Sequence, residues 1–256
     1  GTLIPNRSLS SKKFSENLSN TASLVFDNEK FKLDAGIRHQ RITLGANNAI
    51  QSPESLAETE LKENRLGAVG NLKISLWDKL ALNSSLEYSN GKQFGNYLRS
   101  ANQLKFEPIP DYFVDAKVNF QSAAPSFNYL LNVSPISGYS YNFTDFKNEN
   151  ILEVGGTVGL KWFDAQVFAN YFRLDNYAYF TSAGQPQQSG SSLNISQIGG
   201  DATFSYSKFH LNTRLLFQSN LSNKELLPAP NFVGRANIYW QSKAFKDAAE
   251  IMTGLK

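Results

Sequence analysis

The sequence predicts an all-β fold, an antiparallel transmembrane β-barrel of which about twelve strands lie in this chain. Three observations predict it: apolar and polar side chains alternate in successive segments, long and very short connections alternate between these segments, and aromatic residues recur beside the short connections. Because successive side chains of a strand point to opposite faces, each segment has one apolar and one polar face. Such strands, joined alternately by tight turns and long loops, are typical of outer-membrane barrels.

The amino-acid composition excludes several other classes of protein. No stretch of the 256 residues approaches the roughly twenty apolar residues of a membrane helix. A formal net charge of +3 is too small and too evenly spread for a nucleic-acid surface. The chain has no cysteine, so it forms no disulfides and has no thiol nucleophile.

The clearest pattern lies between Asn150 and Phe180. Leu152, Val154 and Val158 share one parity, whereas Glu153 and the glycines share the other. The alternation lasts for roughly ten residues, about the length of a tilted membrane strand. It reverses through a very short turn at residues 163–164 and then resumes, which predicts a hairpin.

The first half of the chain predicts three further hairpins. Residues 1–20 are polar and without period, which predicts a loop, and residues 45–64 predict a second, long loop with room for one helical turn at 55–63. The strands are expected at about 21–26 and 30–44, then 65–77 and 80–89, and then 97–106 and 112–121. The last two are joined by EPIPD, whose prolines fit a turn.

The second half predicts two more hairpins after the central one. Polar loops are expected at 181–192 and 219–231, with strands at about 197–206 and 209–218 that reverse at Ser207 and Lys208. A last pair reverses around Ser242 and Lys243. The short turns at Glu29, Asp78, Phe163, Lys208 and Lys243 should then lie on one rim.

Residue parity separates a face toward lipid from a face toward the barrel interior. The residues expected to face lipid are Leu72, Ile74, Leu82, Val154, Val158, Val167, Ala202, Leu211 and Ile238. The residues expected to line the pore are Lys32, Asp34, Arg38, Lys73, Glu87, Asp115, Lys117, Glu153, Lys161, Asp201, His210, Arg214 and Arg235, and Lys246 and Glu250 have the same parity. So many charges would be costly in a dry core, which favours a hydrated interior. A plugged barrel whose charges pair with one another is the alternative.

Aromatic residues mark the predicted rim. The aromatics expected at the membrane interface are Trp77, Trp162, Trp240, Phe163, Phe209 and Phe245. Amphipathic rings prefer this boundary, so the row resembles an aromatic girdle. In a soluble β-sandwich or lipocalin-like barrel the same rings would be core residues, but about twelve strands exceed the eight at which small soluble barrels usually close.

The sequence offers no site for metal, cofactor or catalysis. The two histidines, His39 and His210, lie on different predicted strands, and no HExxH pattern is present. The one local pairing to weigh for catalysis is His210 beside Asp201 across the Ser207–Lys208 turn. A polar lining would bring these two together anyway, so we predict a protein that is not an enzyme.

Three stretches also carry a family resemblance: PSFNYLL at 125–131, FKNEN at 146–150 and LPAPNFVGRANIYWQSKAFK at 227–246. The sequence there resembles the putative porin family of Bacteroidetes outer membranes. The resemblance is clear in the second half of the chain and is limited to the general character of the sequence in the first half. The resemblance implies one barrel domain over residues 1–256, located in the bacterial outer membrane. Members of that family are longer, which implies a section that lacks strands at both ends.

Three classes of function follow. The leading one is a porin-like channel for passive diffusion of small hydrophilic solutes. The others are an accessory barrel in a secretion or uptake complex, with other outer-membrane or lipoprotein subunits as partners, and the barrel of an energised, TonB-dependent receptor. All three have outer-membrane lipid as their surroundings and none involves nucleic acid.

Overall fold

The computed structural model of the chain describes residues 11–48, 60–134, 138–142, 145–246 and 248–255. Twelve long strands form one antiparallel sheet, and four short strands form two separate ribbons. The long strands are β1 Ser11–Asp27, β2 Phe31–Asn48, β3 Glu60–Leu76, β4 Leu80–Ser89, β5 Tyr97–Ile109, β6 Tyr112–Ala123, β9 Glu149–Leu160, β10 Ala165–Asp175, β13 Leu193–Tyr206, β14 Phe209–Asn220, β15 Phe232–Ala244 and β16 Ala249–Leu255. The short ones are β7 Leu131–Asn132, β8 Tyr141–Asn142, β11 Ala178–Phe180 and β12 Pro186–Gln188.

The long strands lie side by side in chain order, so every neighbour in the sheet is also the next long strand in sequence. β6 pairs directly with β9, and β10 pairs directly with β13. β1 and β16 are the two outer strands, so within the described residues the sheet does not close on itself. This up-and-down sheet is a section of a barrel, as the sequence predicts, and the predicted number of strands is confirmed.

Tight turns join the hairpins at one end of the sheet. Three of them place an aromatic residue and then a charged residue in left-handed backbone conformation: Trp77 and Asp78, Phe163 and Asp164, and Phe245 and Lys246. In the first of these turns the Lys79 N–H donates to the Leu76 carbonyl, so Trp77 and Asp78 are its two central residues. Positive φ at both central residues is the signature of the type I′ turn, whose twist matches that of the flanking strands. The turns thus hold aromatic rings at the rim of the sheet.

The strands at the start of the chain are longer than predicted. Residues 11–20 belong to β1, residues 45–48 to β2 and residues 60–64 to β3, where the sequence suggests loops. A strand tilted as in membrane barrels rises about 2.5 Å per residue, so the 17 residues of β3 exceed the apolar band of about 25 Å. The ends that project beyond the band need no lipid-facing side chains, which is why they lack the alternation. The helical turn suggested at 55–63 is wrong from Glu60 onward, and residues 55–59 lie outside the described residues.

Two predicted turns are displaced. Lys243 lies in β15 directly opposite Glu250 of β16, and the chain turns only after Ala244. Opposite charges at a cross-strand pair favour this longer ladder. β5 likewise continues to Ile109 with a register shift after Phe106, because Pro108 has no N–H to donate to the ladder.

Long connections at the opposite end contain structure of their own. Residues 181–192, predicted as a loop, include β12, which pairs with β11, and the connection between β6 and β9 forms a helical turn, α1 Phe127–Leu130, and the ribbon of β7 and β8. Most of the buried apolar side chains of the described residues lie in these connections, among them Leu131 and Ala178. The apolar core is therefore at the loop end of the sheet and not between two sheets.

Candidate functional site

The strand register places the predicted residues on two faces. Side chains of directly paired residues lie on the same face of a sheet. Lys32 is paired with Lys73, and Lys73 with Asn83, on what we call the polar face. Leu33 is paired with Leu72 on the opposite, apolar face.

All nine residues predicted to face lipid lie on the apolar face: Leu72, Ile74, Leu82, Val154, Val158, Val167, Ala202, Leu211 and Ile238. Twelve of the thirteen predicted pore-lining residues lie in strands on the polar face: Lys32, Asp34, Arg38, Lys73, Glu87, Asp115, Lys117, Glu153, Asp201, His210, Arg214 and Arg235. Lys161 lies in the turn after β9, 3.4 Å from the carboxylate of Asp111. That the polar face lines a hydrated pore stays a prediction.

Ion pairs cross the polar face between strands. Arg38 of β2 pairs with Glu87 of β4, and the Lys117 ammonium of β6 lies 2.5 Å from a carboxylate oxygen of Glu153 of β9. The side chains in both pairs are partly exposed. Such pairs contribute little stability, so they serve better to order the charges of a wet surface than to hold the sheet together.

A basic group lies on the polar face of the later strands. Arg214 of β14 is paired with Arg235 of β15 on one side and with Asp201 of β13 on the other. The Asp201 carboxylate also accepts hydrogen bonds of 2.9 and 3.1 Å from the Gln166 amide. Like charges directly opposite each other repel, and two arginines beside a single carboxylate leave an excess of positive charge here.

Phe113 and Phe168 are phenylalanines of the polar face that the sequence pattern did not predict as site residues. The Phe168 ring lies over Gly199 and the Phe113 ring over Gly159; a Cβ on either glycine would lie 2.6 Å or less from the ring. The two glycines therefore provide room for the rings. The guanidinium of Arg214 lies 5.6 Å from the Phe168 ring centre and the ammonium of Lys105 lies 4.7 Å from that of Phe113, within cation–π range. The sequence signal that could have indicated these rings is a phenylalanine on one strand opposite a glycine on the next.

Two connections fold together over the loop end of the polar face. We call them the cap: residues 124–134, 138–142 and 145–148 after β6, and 176–192 after β10. The rings of Tyr129 and Phe180 join the two parts, with centres 4.8 Å apart. The Lys147 N–H also donates to the Gln188 side chain at 2.9 Å, whose amide donates back to the Lys147 carbonyl at 2.7 Å.

The cap extends from β6 across to the first strands of the sheet. Leu130, Leu131 and Val133 pack in one cluster with Ala46 of β2 and Leu61 of β3. Ala46 has the parity of Asp34 and Arg38, so this contact is made on the polar face. The cap therefore covers the loop end of the polar face across at least the width of β2 to β6.

The cap also makes polar contacts that fix its position. The ammonium of Lys13 of β1 lies 5.5 Å from the Phe127 ring centre and 5.8 Å from that of Tyr141. Burial raises the pKa of the Tyr141 hydroxyl, which therefore stays protonated and donates to the Asn128 carbonyl. No periodic signal in the sequence indicated this arrangement.

A buried ion pair lies beside the cap. The Glu63 and Arg65 side chains of β3 are only 5% and 8% exposed, with Arg65 Nε 2.7 Å from a Glu63 oxygen. Glu63 also accepts backbone N–H groups of Lys92 and Gln93, and Arg65 donates to the Gly95 carbonyl at 3.0 Å. One carboxylate thus holds the connection between β4 and β5 against the sheet.

Most of the predicted interface aromatics lie at the rim formed by the tight turns. Trp77, Trp162, Phe163, Phe209 and Phe245 are strongly exposed. Trp240 is partly buried and lies within β15, not beside its turn. It is paired with Phe209, so it lies level with the turn of the neighbouring hairpin. Tyr206 is a further exposed aromatic at this rim.

The pairing of His210 with Asp201 is wrong. His210 lies opposite Ser205, whose hydroxyl is 2.7 Å from His210 Nδ1, and its ring stacks on Tyr239. Asp201 lies opposite Arg214, four residues further along the strand. Among the described residues, no group of three or more histidines and carboxylates is arranged to hold a metal ion. The helices in the same part of the chain are all too short or too polar to cross a membrane.

Solved structures similar in fold to this chain include siderophore receptors and a copper transporter. The siderophore receptor PirA from Pseudomonas aeruginosa matches with a TM-score of 0.62 and 14% identity, over 91% of this chain and 46% of the receptor. PirA from Acinetobacter baumannii matches with a TM-score of 0.66 and 10% identity, over 90% of this chain and 40% of the receptor. The copper transporter OprC matches with a TM-score of 0.65 and 14% identity, over 91% and 42%. The chain thus spans less than half the length of each, and at these identities the likeness is one of fold.

The sequence comparisons point to one family. A search of functionally characterised proteins finds no significant match. The family model described as putative porin matches residues 3–256. Together with the antiparallel membrane-barrel sheet, this match places the chain in the bacterial outer membrane, and the chain belongs to the putative porin family.

Proposed function

We propose that the protein is a channel for passive diffusion of small hydrophilic solutes, narrowed at its loop end by the cap. The observation that carries the proposal is the polar face, where charged and amide side chains continue from β2 to β15. A depression of about 660 Å³ on β2–β6 and another of about 510 Å³ near the turns of β5–β10 are lined mainly by such groups. Side chains of this kind are stable when water reaches them and costly when it does not.

The first test is a cap variant. Leu131 has no exposed surface in the cap core, and replacing it with aspartate should cost about 2–5 kcal/mol of cap stability. Opening of the cap should raise the single-channel conductance of the full-length protein in planar bilayers. Leu221→Asp, in a different loop where the leucine is 61% exposed, is the control and should leave conductance unchanged. Equal conductance in Leu131→Asp and wild type would mean that the cap does not narrow the channel.

The second test concerns charge. The basic residues of the polar face should favour anions weakly, and the effect should fade at molar salt, where the screening length is about 3 Å. Arg214→Glu should move the zero-current potential in a salt gradient toward cation preference without unfolding the barrel. Lys161→Glu should shift the zero-current potential in the same direction by less, because Lys161 is exposed in a turn and pairs with Asp111. If the zero-current potential of Arg214→Glu equals that of the wild type, Arg214 does not line the conduction path.

A second candidate is the barrel of an energised uptake receptor. The similarity in fold to siderophore receptors favours it. The two functions differ in basal conductance: a diffusion channel passes current without an energy source, whereas a receptor barrel closed by a plug does not. An accessory barrel subunit would likewise pass no current.

A further inference from the structure

We propose that a patch on β2, β3 and β4 binds a small solute with several hydroxyl groups and a single negative charge, of the sugar-acid class. This deepens the channel function proposed above and rests on it, because the patch must face water. The patch consists of Lys32, Asp34, Asn71, Lys73, Asn83 and Ser85, all lining the 660 Å³ depression. We call it the β2–β4 patch.

The register places these six side chains in two adjacent rows of three. Lys32 is paired with Lys73, and Lys73 with Asn83, along one row. Asp34 is paired with Asn71, and Asn71 with Ser85, along the next. Directly paired side chains have Cβ atoms about 5 Å apart, so the patch is about 10 Å wide across three strands. A molecule the size of a monosaccharide can contact all three strands at once.

Lys73 is the cation of the depression that has no counter-ion among the described residues. Lys32 lies 2.7 Å from the Asp27 carboxylate, and Lys117 lies 2.5 Å from that of Glu153. Within the described ranges, Lys73 has no carboxylate oxygen within 4 Å, yet it is directly opposite Lys32. Like charges in this position destabilise a sheet, and a bound anion would remove the repulsion.

Asp34 supplies the complementary acceptor. Its Oδ1 atom is buried and has no hydrogen-bond partner in the described part of the chain. A buried acceptor without a donor is uncommon in folded proteins. Asp34 lines the depression, so rotation of its side chain would bring this oxygen to a solute hydroxyl that could donate to it. The Asn71, Asn83 and Ser85 side chains also form no hydrogen bond with any described residue, so amide and hydroxyl groups remain free for further hydroxyls.

These groups select the charge of the solute as well as its size. A simple anion would use Lys73 alone and leave Asp34 unsatisfied. A second carboxylate on the solute would approach Asp34 and be repelled. One carboxylate for Lys73 and several hydroxyls for Asp34 and the amides therefore fit the patch best, which is the chemistry of a monocarboxylic sugar acid.

Equilibrium binding to the purified full-length protein in detergent tests the patch, with gluconate as the probe. Sorbitol, which has the hydroxyls without the charge, and propionate, which has the charge without the hydroxyls, are the matched comparisons. We expect gluconate to bind more tightly than either. We expect Lys73→Gln to weaken gluconate binding about tenfold or more, because a hydrogen bond to a charged group is lost. Lys30→Gln, in the exposed β1–β2 turn, should leave gluconate binding unchanged.

The Asp34→Asn variant tests the role of the Asp34 carboxylate independently of Lys73. It should weaken gluconate binding while propionate binding stays the same or rises, since only gluconate donates hydroxyls to Asp34. Equal gluconate affinity in Lys73→Gln and wild type, or sorbitol binding as tight as gluconate, would overturn the proposal. Conductance without gluconate binding would support the channel function and refute solute binding at the β2–β4 patch. Gluconate binding without conductance would support the patch and refute the channel function.

Discussion

Replacing Val158 with arginine is expected to destabilise the folded barrel in lipid by about 2–4 kcal/mol. Val158 lies on the apolar face of β9, where it is 45% exposed and paired with Val167 and Val114. It is four residues from Trp162 at the rim, which places it about 10 Å into an apolar band of about 25 Å. A charge at that depth has no water and no partner, so it raises the free energy of the folded state.

Thr157→Arg is the matched control, because Thr157 is the preceding residue and lies on the polar face, directly opposite Asp115. An arginine there reaches water and a carboxylate, so little stability should be lost. Urea titrations in lipid vesicles give the free energy of unfolding for both variants. A loss for Thr157→Arg with none for Val158→Arg would mean that the two faces are reversed.

Removing the Glu63 carboxylate is expected to cost about 3–5 kcal/mol, because Arg65 then stays buried without a counter-ion. The N–H groups of Lys92 and Gln93 lose their acceptor at the same time. The same urea titration measures the loss in Glu63→Ala, and hydrogen exchange should show that residues 91–95 lose protection.

The control for Glu63→Ala is Glu60→Ala on the same strand. Glu60 pairs with Lys62 at 2.5 Å, but both side chains are well exposed, so the expected loss is about 0–1 kcal/mol. Equal losses of stability for the two variants would show that burial adds nothing to the Glu63–Arg65 pair, and that Glu63 does not hold the β4–β5 connection against the sheet.

The membrane-spanning part of the fold could be predicted from the sequence because lipid imposes a rule on every second residue. In the hairpin of β9 and β10, Val154 and Val158 alternate with Glu153 and Thr157, and the observed register places the two sets on opposite faces. The same rule sorted the charged residues of the polar face onto one side of the sheet.

This rule applies only within the apolar band, so the structure of the segments beyond the band could not be predicted from alternation. The outer parts of β1 to β3 are rich in polar residues, and their apolar residues Ala46 and Leu61 contact the cap and not lipid, so the sequence there is typical of a loop. The cap depends on contacts between Leu131 and Leu61, seventy residues apart in sequence, and the short apolar run around Leu131 does not indicate its partner. The ion pairs could not be predicted from the alternation of residues either. Lys73 and Lys117 have the same polar parity, yet Lys117 pairs with Glu153 and Lys73 has no counter-ion in the described chain.

The most direct test of a hydrated polar face is the current through planar bilayers that contain the full-length protein. We expect discrete conductance steps without any energy source and a weak anion preference that fades as salt concentration rises. Insertion confirmed by protease protection, with no current above that of the lipid alone, would contradict it. The polar face would then line a closed barrel, and the function would be that of a receptor or an accessory subunit.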